Sequence, residues 1–331
     1  MTESTDATAP TNPKPFSPSL SDTPLRAGGV PVADDYSETF TATMAAVLLT
    51  GPSEAIVREA AYETKGLGRS ATQPPCEATI VREVPASDTP DSRPGVLLAM
   101  FDRKAATLQE CLALRLRKGA MPYPQTAVFD GLPASLAGDE TLDLAGTVVQ
   151  RFADGFDTTE SLGERELMIL PRMDGPMRVE RRFRTLAAVT GGMFLIYGRD
   201  DGVLDAALAA TDIAHTANQT DIDEAGRFTT AKCAASGSKV GGINLTDMVA
   251  TTNHRCCPSL RDRIDDSQLP PEVSRVYEII VSGPTEAAVR RSMRAGIARA
   301  AESGSVVAIG TANYGGKLGS GQIPLRDLVA S

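Results

Sequence analysis

Two stretches of the chain have nearly the same sequence: Leu48-Leu-Thr-Gly-Pro-Ser-Glu-Ala-Ile-Val-Arg58 and Ile280-Val-Ser-Gly-Pro-Thr-Glu-Ala-Ala-Val-Arg290. In each, an apolar run typical of a buried strand ends at Gly-Pro, and Ser or Thr followed by Glu then begins a helical pattern. A common strand-to-helix turn would explain the match, and so would a duplicated α/β lobe. We favour duplication, because an internal repeat that is overlooked leads to a wrong assignment of the whole fold.

The rest of the chain alternates between strand and helix patterns. Strands are expected at 41–50, 78–84, 95–101, 167–170, 193–197, 276–281 and 306–309, and helices at about 54–65, 103–118, 203–217 and 285–302. This order predicts an α+β protein made of a duplicated ferredoxin-like α/β sandwich with two lobes.

The domain boundaries follow from the same patterns. An extension over residues 1–28 is rich in Thr, Ser, Pro and Asp, holds few large apolar side chains, and is expected to be disordered. The N-terminal lobe is expected over residues 29–165 and the C-terminal lobe over 166–331.

Composition and charge exclude several classes of function. The 331 residues carry a net charge of −9, which argues against a general nucleic-acid binder. No apolar run is long enough to span a membrane, and no signal peptide is visible. The five cysteines are expected to be free thiols in a reducing, cytoplasmic compartment. Because neither His215 nor His254 lies in a recognisable motif, no metal site is expected.

Three segments rich in small or polar residues could form a ligand site: 234–242, 250–258 and 310–321. The Gly-Gly-Lys in the third resembles a P-loop, but Thr311 takes the place of the first glycine and Leu318 follows the lysine. No dinucleotide fingerprint lies between a strand and a helix either. Each segment taken alone is more often a plain turn than a site.

Glu278 differs from the other carboxylates, because it lies in the middle of the apolar run Val276-Tyr-Glu-Ile-Ile-Val281. If it faces inward, loss of hydration would raise its pKa and favour the protonated acid. The period of two in a strand favours the other reading, an ordinary surface glutamate. The neighbouring Cys256 and Cys257 are interpreted as two ordinary thiols and not as a redox pair.

Taken together, these segments resemble the formylmethanofuran:tetrahydromethanopterin formyltransferase family, including the formyltransferase subunit of the bacterial formyltransferase/hydrolase complex. The phrases that carry the resemblance are Ser236-Gly-Ser-Lys-Val-Gly241, Thr252-Asn253 with Cys257-Pro-Ser-Leu260, Tyr277-Glu-Ile-Ile, and Ala312-Asn-Tyr-Gly-Gly-Lys-Leu-Gly319. Looser matches occur at 34–40, 76–78, 89–96 and 173–175.

The resemblance implies a duplicated ferredoxin-like protein that moves a formyl group between methanofuran and N5 of tetrahydromethanopterin. Both carriers are substrates, and no cofactor is tightly bound. It implies a homo-oligomer, dimer or tetramer, or association with other subunits of a formyltransferase/hydrolase complex. It points to Glu278 as the catalytic residue. The substrate-binding residues that it implies are Ser236, Ser238, Lys239, Thr252, Asn253, Asn313, Lys317, Cys76, Glu77, Asp91 and Arg93.

The chain also departs from the family pattern. Family members commonly carry Cys-Gly-Cys-Glu, where this chain has Gln73-Pro-Pro-Cys-Glu77, and the run before Met173 diverges. A divergent, non-catalytic paralogue that serves as a binding or scaffold subunit is therefore the alternative. An unrelated nucleotide-binding protein is a third interpretation.

Overall fold

The computed structural model describes residues 24–66, 76–219, 223–235, 256–265, 267, 269–313, 315–316 and 319–329. The strands are β1 Arg26–Ala27, β2 Val30–Pro31, β3 Tyr36–Thr50, β4 Glu77–Val84, β5 Gly95–Asp102, β6 Ala127–Asp130, β7 Thr141–Asp143, β8 Thr158–Leu162, β9 Arg165–Leu170, β10 Met177–Glu180, β11 Arg182–Gly198, β12 Thr230–Ala235, β13 Arg275–Gly283, β14 Val306–Gly310 and β15 Gly321–Pro324. The helices are α1 Glu54–Lys65, α2 Ala105–Arg115 with a π-helical continuation Leu116–Ala120, α3 Gly202–Thr216, α4 Glu286–Ala301 and α5 Arg326–Val329, with short 3₁₀ turns between some elements.

Both halves have the same topology. The first contains β3-α1-β4-β5-α2-β6 and orders its strands β4-β5-β3-β6 in the sheet. The second contains β11-α3-β12-β13-α4-β14 and orders them β12-β13-β11-β14. Each half is therefore a β-α-β-β-α-β unit with the ferredoxin-like strand order, and the predicted duplication is confirmed.

The repeated sequence motif, however, does not mark equivalent positions in the two lobes. In the N-terminal lobe it joins the first strand, β3, to the first helix; in the C-terminal lobe it joins the third strand, β13, to the second helix. Both copies cap their helix with a hydroxyl: Ser53 accepts from the backbone N–H of Ile56 at 3.4 Å, and Thr285 accepts from that of Ala288 at 3.1 Å. The motif is a shared capping solution, and the evidence for duplication comes from the topology.

The two lobes share one sheet through their long first strands. Residues 40–45 of β3 pair antiparallel with residues 185–190 of β11, and β15 returns from the end of the chain to pair with residues 36–39 of β3. Within the described residues, thirteen strands are connected in this way. The lobe boundary at 165/166, which falls at the start of β9, stays a prediction.

Residues 24–28 differ from the expectation of a disordered extension through residue 28. Arg26 and Ala27 form β1, which pairs with β2, and the N–H of Val32 donates to the carbonyl of Leu25 at 3.0 Å. Leu25 and Ala27 pack against the core of the C-terminal lobe, which explains why this stretch is ordered. The remainder of the predicted extension, residues 1–23, lies outside the described residues.

The helices of each lobe cover one face of its sheet. In the C-terminal lobe, Ile279 and Val281 of β13 pack beneath buried residues of α3 and α4 such as Ala210 and Met293. None of the described helices is both long and apolar enough to cross a bilayer.

Candidate active site

Glu278 lies in the middle of β13, between the other long strands of the C-terminal lobe. Its partners across the sheet are Leu195 on β11 and Ala234 on β12. Because successive strand side chains alternate, and Ile279 and Val281 face the helices, Glu278 points to the face without helices.

That face is covered by other parts of the chain. Val276, Leu195 and Tyr197 form a buried apolar cluster there with Cys256 and Val273, which lie on the segment leading into β13. Glu278 itself is half-buried at the edge of this cluster. Glu278 is therefore not an ordinary surface residue. The sequence does not reveal this, because the segment that covers the sheet face has no strand or helix pattern.

Burial changes the chemistry of this carboxyl. Desolvation raises the pKa of Glu278 from 4.5 to about 7, since the charged form loses hydration that its apolar neighbours cannot replace. A carboxyl with a pKa near neutrality can both donate and accept a proton under working conditions, which is what a general acid–base group needs.

The glycine-rich loop after β14 begins close to this carboxyl. Gly310, the last residue of β14, lies opposite Leu195 on one side of β11, and Glu278 lies opposite the same residue on the other side. Two strand spacings, about 10 Å, therefore separate Gly310 from Glu278. Thr311 then anchors the loop by donating from its hydroxyl to the carbonyl of Met193 at 2.9 Å.

Asn313, predicted to bind substrate, organises this loop in the structure. Its side-chain amide donates to Asp35 Oδ1 at 3.0 Å and to the carbonyl of Tyr36 at 3.2 Å, and its oxygen accepts from the N–H of Gly315 at 2.9 Å. Glu38 holds the end of the loop by accepting from the N–H of Gly319 at 2.6 Å. Substrate binding by Asn313 stays a prediction.

Glu77 reaches the same sheet face as Glu278, although it belongs to the other lobe. One carboxylate oxygen lies 2.8 Å from Lys232 Nζ on β12, and the other accepts from the hydroxyl of Ser282 on β13 at 3.1 Å. Lys232 and Ser282 were not identified from the sequence. The available signal was a single lysine within the small-residue strand Thr230-Ala-Lys-Cys-Ala-Ala235.

Cys76 lies one residue before Glu77 but packs into the core of the N-terminal lobe. A hydrogen bond with Cys111 and burial raise the pKa of the Cys76 thiol well above its usual value, while the same bond lowers the pKa of Cys111 to about 7. The backbone carbonyl of Cys76 accepts from Arg115 at 2.7 Å. The structure therefore separates Cys76 from the face that holds Glu278.

Asp91 and Arg93 lie at the far end of β3 from Glu278. Arg93 donates to Asp91 Oδ2 at 2.6 Å and to Thr50 Oγ1 at 3.1 Å, and Thr50 is the last residue of β3. Thr41, near the other end of β3, pairs with Val189 of β11, the strand that also pairs with Glu278. Thr50 lies nine residues beyond Thr41, or about 30 Å along the strand. The pair braces a strand end in the N-terminal lobe, and the structure does not bring it together with Glu278.

The other predicted substrate-binding residues lie outside the described residues: Ser236, Ser238, Lys239, Thr252, Asn253 and Lys317. The described residues that flank the longest gap are informative. Ala235, the last residue before it, pairs with Tyr277, and Cys256, the first after it, has its thiol 3.7 Å from the hydroxyl of Tyr197. Both flanks of segment 236–255 thus lie beside Glu278.

The fold and the site define a class: two-lobed, duplicated ferredoxin-like α+β proteins with a desolvated carboxyl on the sheet of the C-terminal lobe. The chain belongs to the formylmethanofuran–tetrahydromethanopterin formyltransferase family. The family model with that description matches residues 25–172, and the model of the proximal lobe of the same family matches residues 175–328.

Curated relatives are similar over almost their whole length. The formylmethanofuran–tetrahydromethanopterin formyltransferase of Methanosarcina barkeri is 34% identical over 306 residues, which cover 92% of this chain and 100% of the relative. The protein of the same name from Methanocaldococcus jannaschii is 35% identical, with 92% and 99% covered.

Two solved structures share the fold. The formyltransferase from Methanosarcina barkeri superposes with a TM-score of 0.76 at 33% identity and covers 92% of this chain and 100% of its own. A chain of the formyltransferase/hydrolase complex from Methylorubrum extorquens, solved with methylofuran, has a TM-score of 0.78 at 32% identity, with 92% and 98% covered.

Proposed function

We propose that this chain is an acyltransferase that moves a formyl group between methanofuran and N5 of tetrahydromethanopterin. The observation that carries the proposal is the Glu278 carboxyl, whose pKa is raised to about 7 on a covered sheet face, in a chain that matches the formyltransferase family through both lobes. Both carriers are substrates, and the reaction uses no tightly bound cofactor.

The reaction needs a proton handled beside a developing negative charge. The attacking amine nitrogen bonds to the formyl carbon, the carbonyl oxygen gains charge in a tetrahedral intermediate, and the bond to the leaving nitrogen then breaks. In this proposal, protonated Glu278 first donates a hydrogen bond to that oxygen and then gives its proton to the leaving nitrogen, and the carboxylate so formed takes the proton of the attacking amine. Net proton count is unchanged at the end of the cycle.

The other predicted residues are proposed to hold the carriers in register around Glu278. In the sequence, Ser236, Ser238 and Lys239 directly follow Ala235, and Thr252 and Asn253 shortly precede Cys256; Ala235 and Cys256 are the described residues beside Glu278. Lys317 belongs to the loop that starts two strands away.

Replacement of Glu278 by Gln tests the catalytic role. Gln keeps the size and hydrogen-bonding capacity of the protonated acid but cannot release a proton, so we expect kcat to fall by about 10²-fold or more. The measurement is steady-state formyl transfer between methanofuran and tetrahydromethanopterin analogues. The exposed Glu272, replaced by Gln, is the matched control and should leave kcat unchanged. Normal transfer by a folded Glu278→Gln protein would show that the assignment is wrong.

We further propose that the chain works in an assembly, either as a homo-oligomer or with hydrolase-type subunits. Support comes from its similarity to a chain of the Methylorubrum extorquens complex. A scaffold role without catalysis would give association but no formyl transfer in either direction. The proposed role gives both association and formyl transfer. Native mass spectrometry of the purified chain, alongside the transfer assay, separates these outcomes. A cytoplasmic location is proposed from the five free cysteines.

A further inference from the structure

A buried ion pair connects the two lobes next to the candidate active site. Glu77 on β4 contributes one partner, and Lys232 on β12 contributes the other, with 2.8 Å between Oε1 and Nζ. Both side chains are 9% exposed. Ser282 on β13, which is fully buried, donates to the second oxygen of Glu77. Burying two such charges is costly, and replacing them with neutral groups is often no less stable, so fold stability alone is a weak reason for the pair.

The strand register places the lysine next to Glu278. Lys232 lies opposite Ile280, and the following same-face residue of β12, Ala234, lies opposite Glu278. Lys232 and Glu278 are therefore diagonal neighbours on one sheet face, with backbones about 7 Å apart. From this position the four-carbon stem of lysine can extend along β13 in either direction, towards Ser282 or towards Glu278. In the structure the ammonium lies with Glu77, on the Ser282 side.

We propose that Glu77 is a positioning residue: by holding the Lys232 ammonium on the Ser282 side, it keeps that cation away from the Glu278 carboxyl and leaves this carboxyl able to hold a proton. Glu77 then acts through Lys232 and does not need to touch either carrier. This differs from the substrate-binding role that the family resemblance implies for it.

Few other described groups on this face could set the charge of Glu278. Its neighbours on β13 and β11 are Val276, Ile280 and Leu195, which are apolar. Among the described residues, the polar or titratable groups on or near this face include Tyr197, Cys256, Asp35, Ser282, Lys232 and Glu77.

Among these, Tyr197 is neutral because desolvation raises its pKa well above 10, and Asp35 contributes to that same rise. The raised pKa of Glu278 has desolvation as its cause. A lysine ammonium that moved within about 4–6 Å would oppose desolvation and lower that pKa by roughly one unit or more. Among the described residues, Lys232 is the cation that the strand register places within reach of Glu278.

The test measures the Glu278 carboxyl directly. Infrared difference spectra against Glu278→Gln isolate the signal of the protonated carboxyl, and its loss with rising pH gives the pKa in the full-length protein. In the parent protein we expect the midpoint near pH 7. In Glu77→Gln we expect it lower by about one pH unit or more. In the double variant Glu77→Gln/Lys232→Met, which also removes the cation, the midpoint should return to that of the parent.

A midpoint that is the same in Glu77→Gln and the parent overturns the proposal, as does a shift that persists in the double variant. Should Glu77→Gln fail to fold, Ser282→Ala is the milder change, because it removes one hydrogen bond from Glu77 without leaving a charge unpaired. It is expected to lower the midpoint in the same direction but less, and no change would again overturn the proposal.

The catalytic consequence rests on the proton role proposed for Glu278. The pH profile of kcat should move with the infrared midpoint in both variants, with KM for the carriers unchanged. If Glu77 binds substrate instead, KM rises in Glu77→Gln and stays raised in the double variant. Because the infrared titration needs no carrier, it gives its answer even if the chain transfers no formyl group, and the two proposals fail separately.

Discussion

Glu278 shows how one residue can link the stability of the protein to its chemistry. The unfolded chain exposes this carboxyl to water, where its pKa is about 4.5, whereas the folded protein raises it to about 7. Between these values the folded state binds more protons than the unfolded state. Stability from this group is therefore fully present below pH 4.5 and is lost as the pH rises through 7.

This linkage gives a prediction that does not depend on activity. Replacing Glu278 by Gln removes the cost of charging the buried group, so the free energy of unfolding of the variant, relative to the parent, should increase by about 3 kcal/mol between pH 4 and pH 8. Urea titrations at several pH values measure the difference. A pH-independent difference between the two proteins would show that the carboxyl is not desolvated.

Glu278 and Lys232 have similar sequence surroundings, but the sequence points to Glu278 alone. Both are single charged residues in strands of otherwise apolar or small residues. The family resemblance points to Glu278, while strand periodicity alone places it correctly on the face away from the helices but does not show that this face is covered. The contact of Lys232 with Glu77 joins residues that are 155 positions apart and lie in different lobes. Contacts of this kind depend on tertiary structure and leave no local pattern.

At the level of elements, the sequence predicts the helices best because their signals are local. The expected helices at 54–65, 203–217 and 285–302 agree with α1, α3 and α4 to within a residue or two. Strands are predicted less well: 193–197 covers less than half of β11, which extends over 182–198, and the sequence predicts none of β1, β2, β6, β7, β8, β10, β12 and β15. The first part of β11 contains polar residues and Gly191-Gly192, and it is held in the sheet by pairing with β3.

The capping residues of the repeated motif make a prediction about elements. Thr285 accepts from the N–H of Ala288, and its loss would leave that donor without its side-chain partner at the start of α4. We expect Thr285→Ala to lower the free energy of unfolding by about 1 kcal/mol. Ser53→Ala should cost less, because its bond to Ile56 is longer, at 3.4 Å against 3.1 Å.

Thermal and urea unfolding of the two alanine variants measure this ranking. The matched control is Thr285→Ser, which keeps the hydroxyl and should restore most of the loss. If Thr285→Ser is as unstable as Thr285→Ala, the methyl group and not the cap stabilises the helix start, and the shared motif has a different physical basis in its two copies.

At the scale of the whole molecule, the lobes are duplicated in topology but not separable in structure. β3 and β11 pair along six residues, the last strand of the chain returns to the beginning of β3, and the buried Glu77–Lys232 pair crosses between the lobes. Unfolding either lobe alone would expose the paired edges and bury no compensating surface. The two lobes should therefore unfold in one cooperative transition.

The chain contains no tryptophan, so a single introduced Trp can report on one lobe at a time. Leu114 on α2 and Leu204 on α3 are matched sites, 39% and 41% exposed, in the N-terminal and C-terminal lobes. We expect Leu114→Trp and Leu204→Trp to show fluorescence transitions at the same urea concentration as the loss of secondary structure, with equal slopes. Two separated midpoints would mean that each ferredoxin-like lobe folds by itself. In that case the sheet continuity and the Glu77–Lys232 pair would contribute little to coupling, and the positioning of Lys232 could vary without unfolding either lobe.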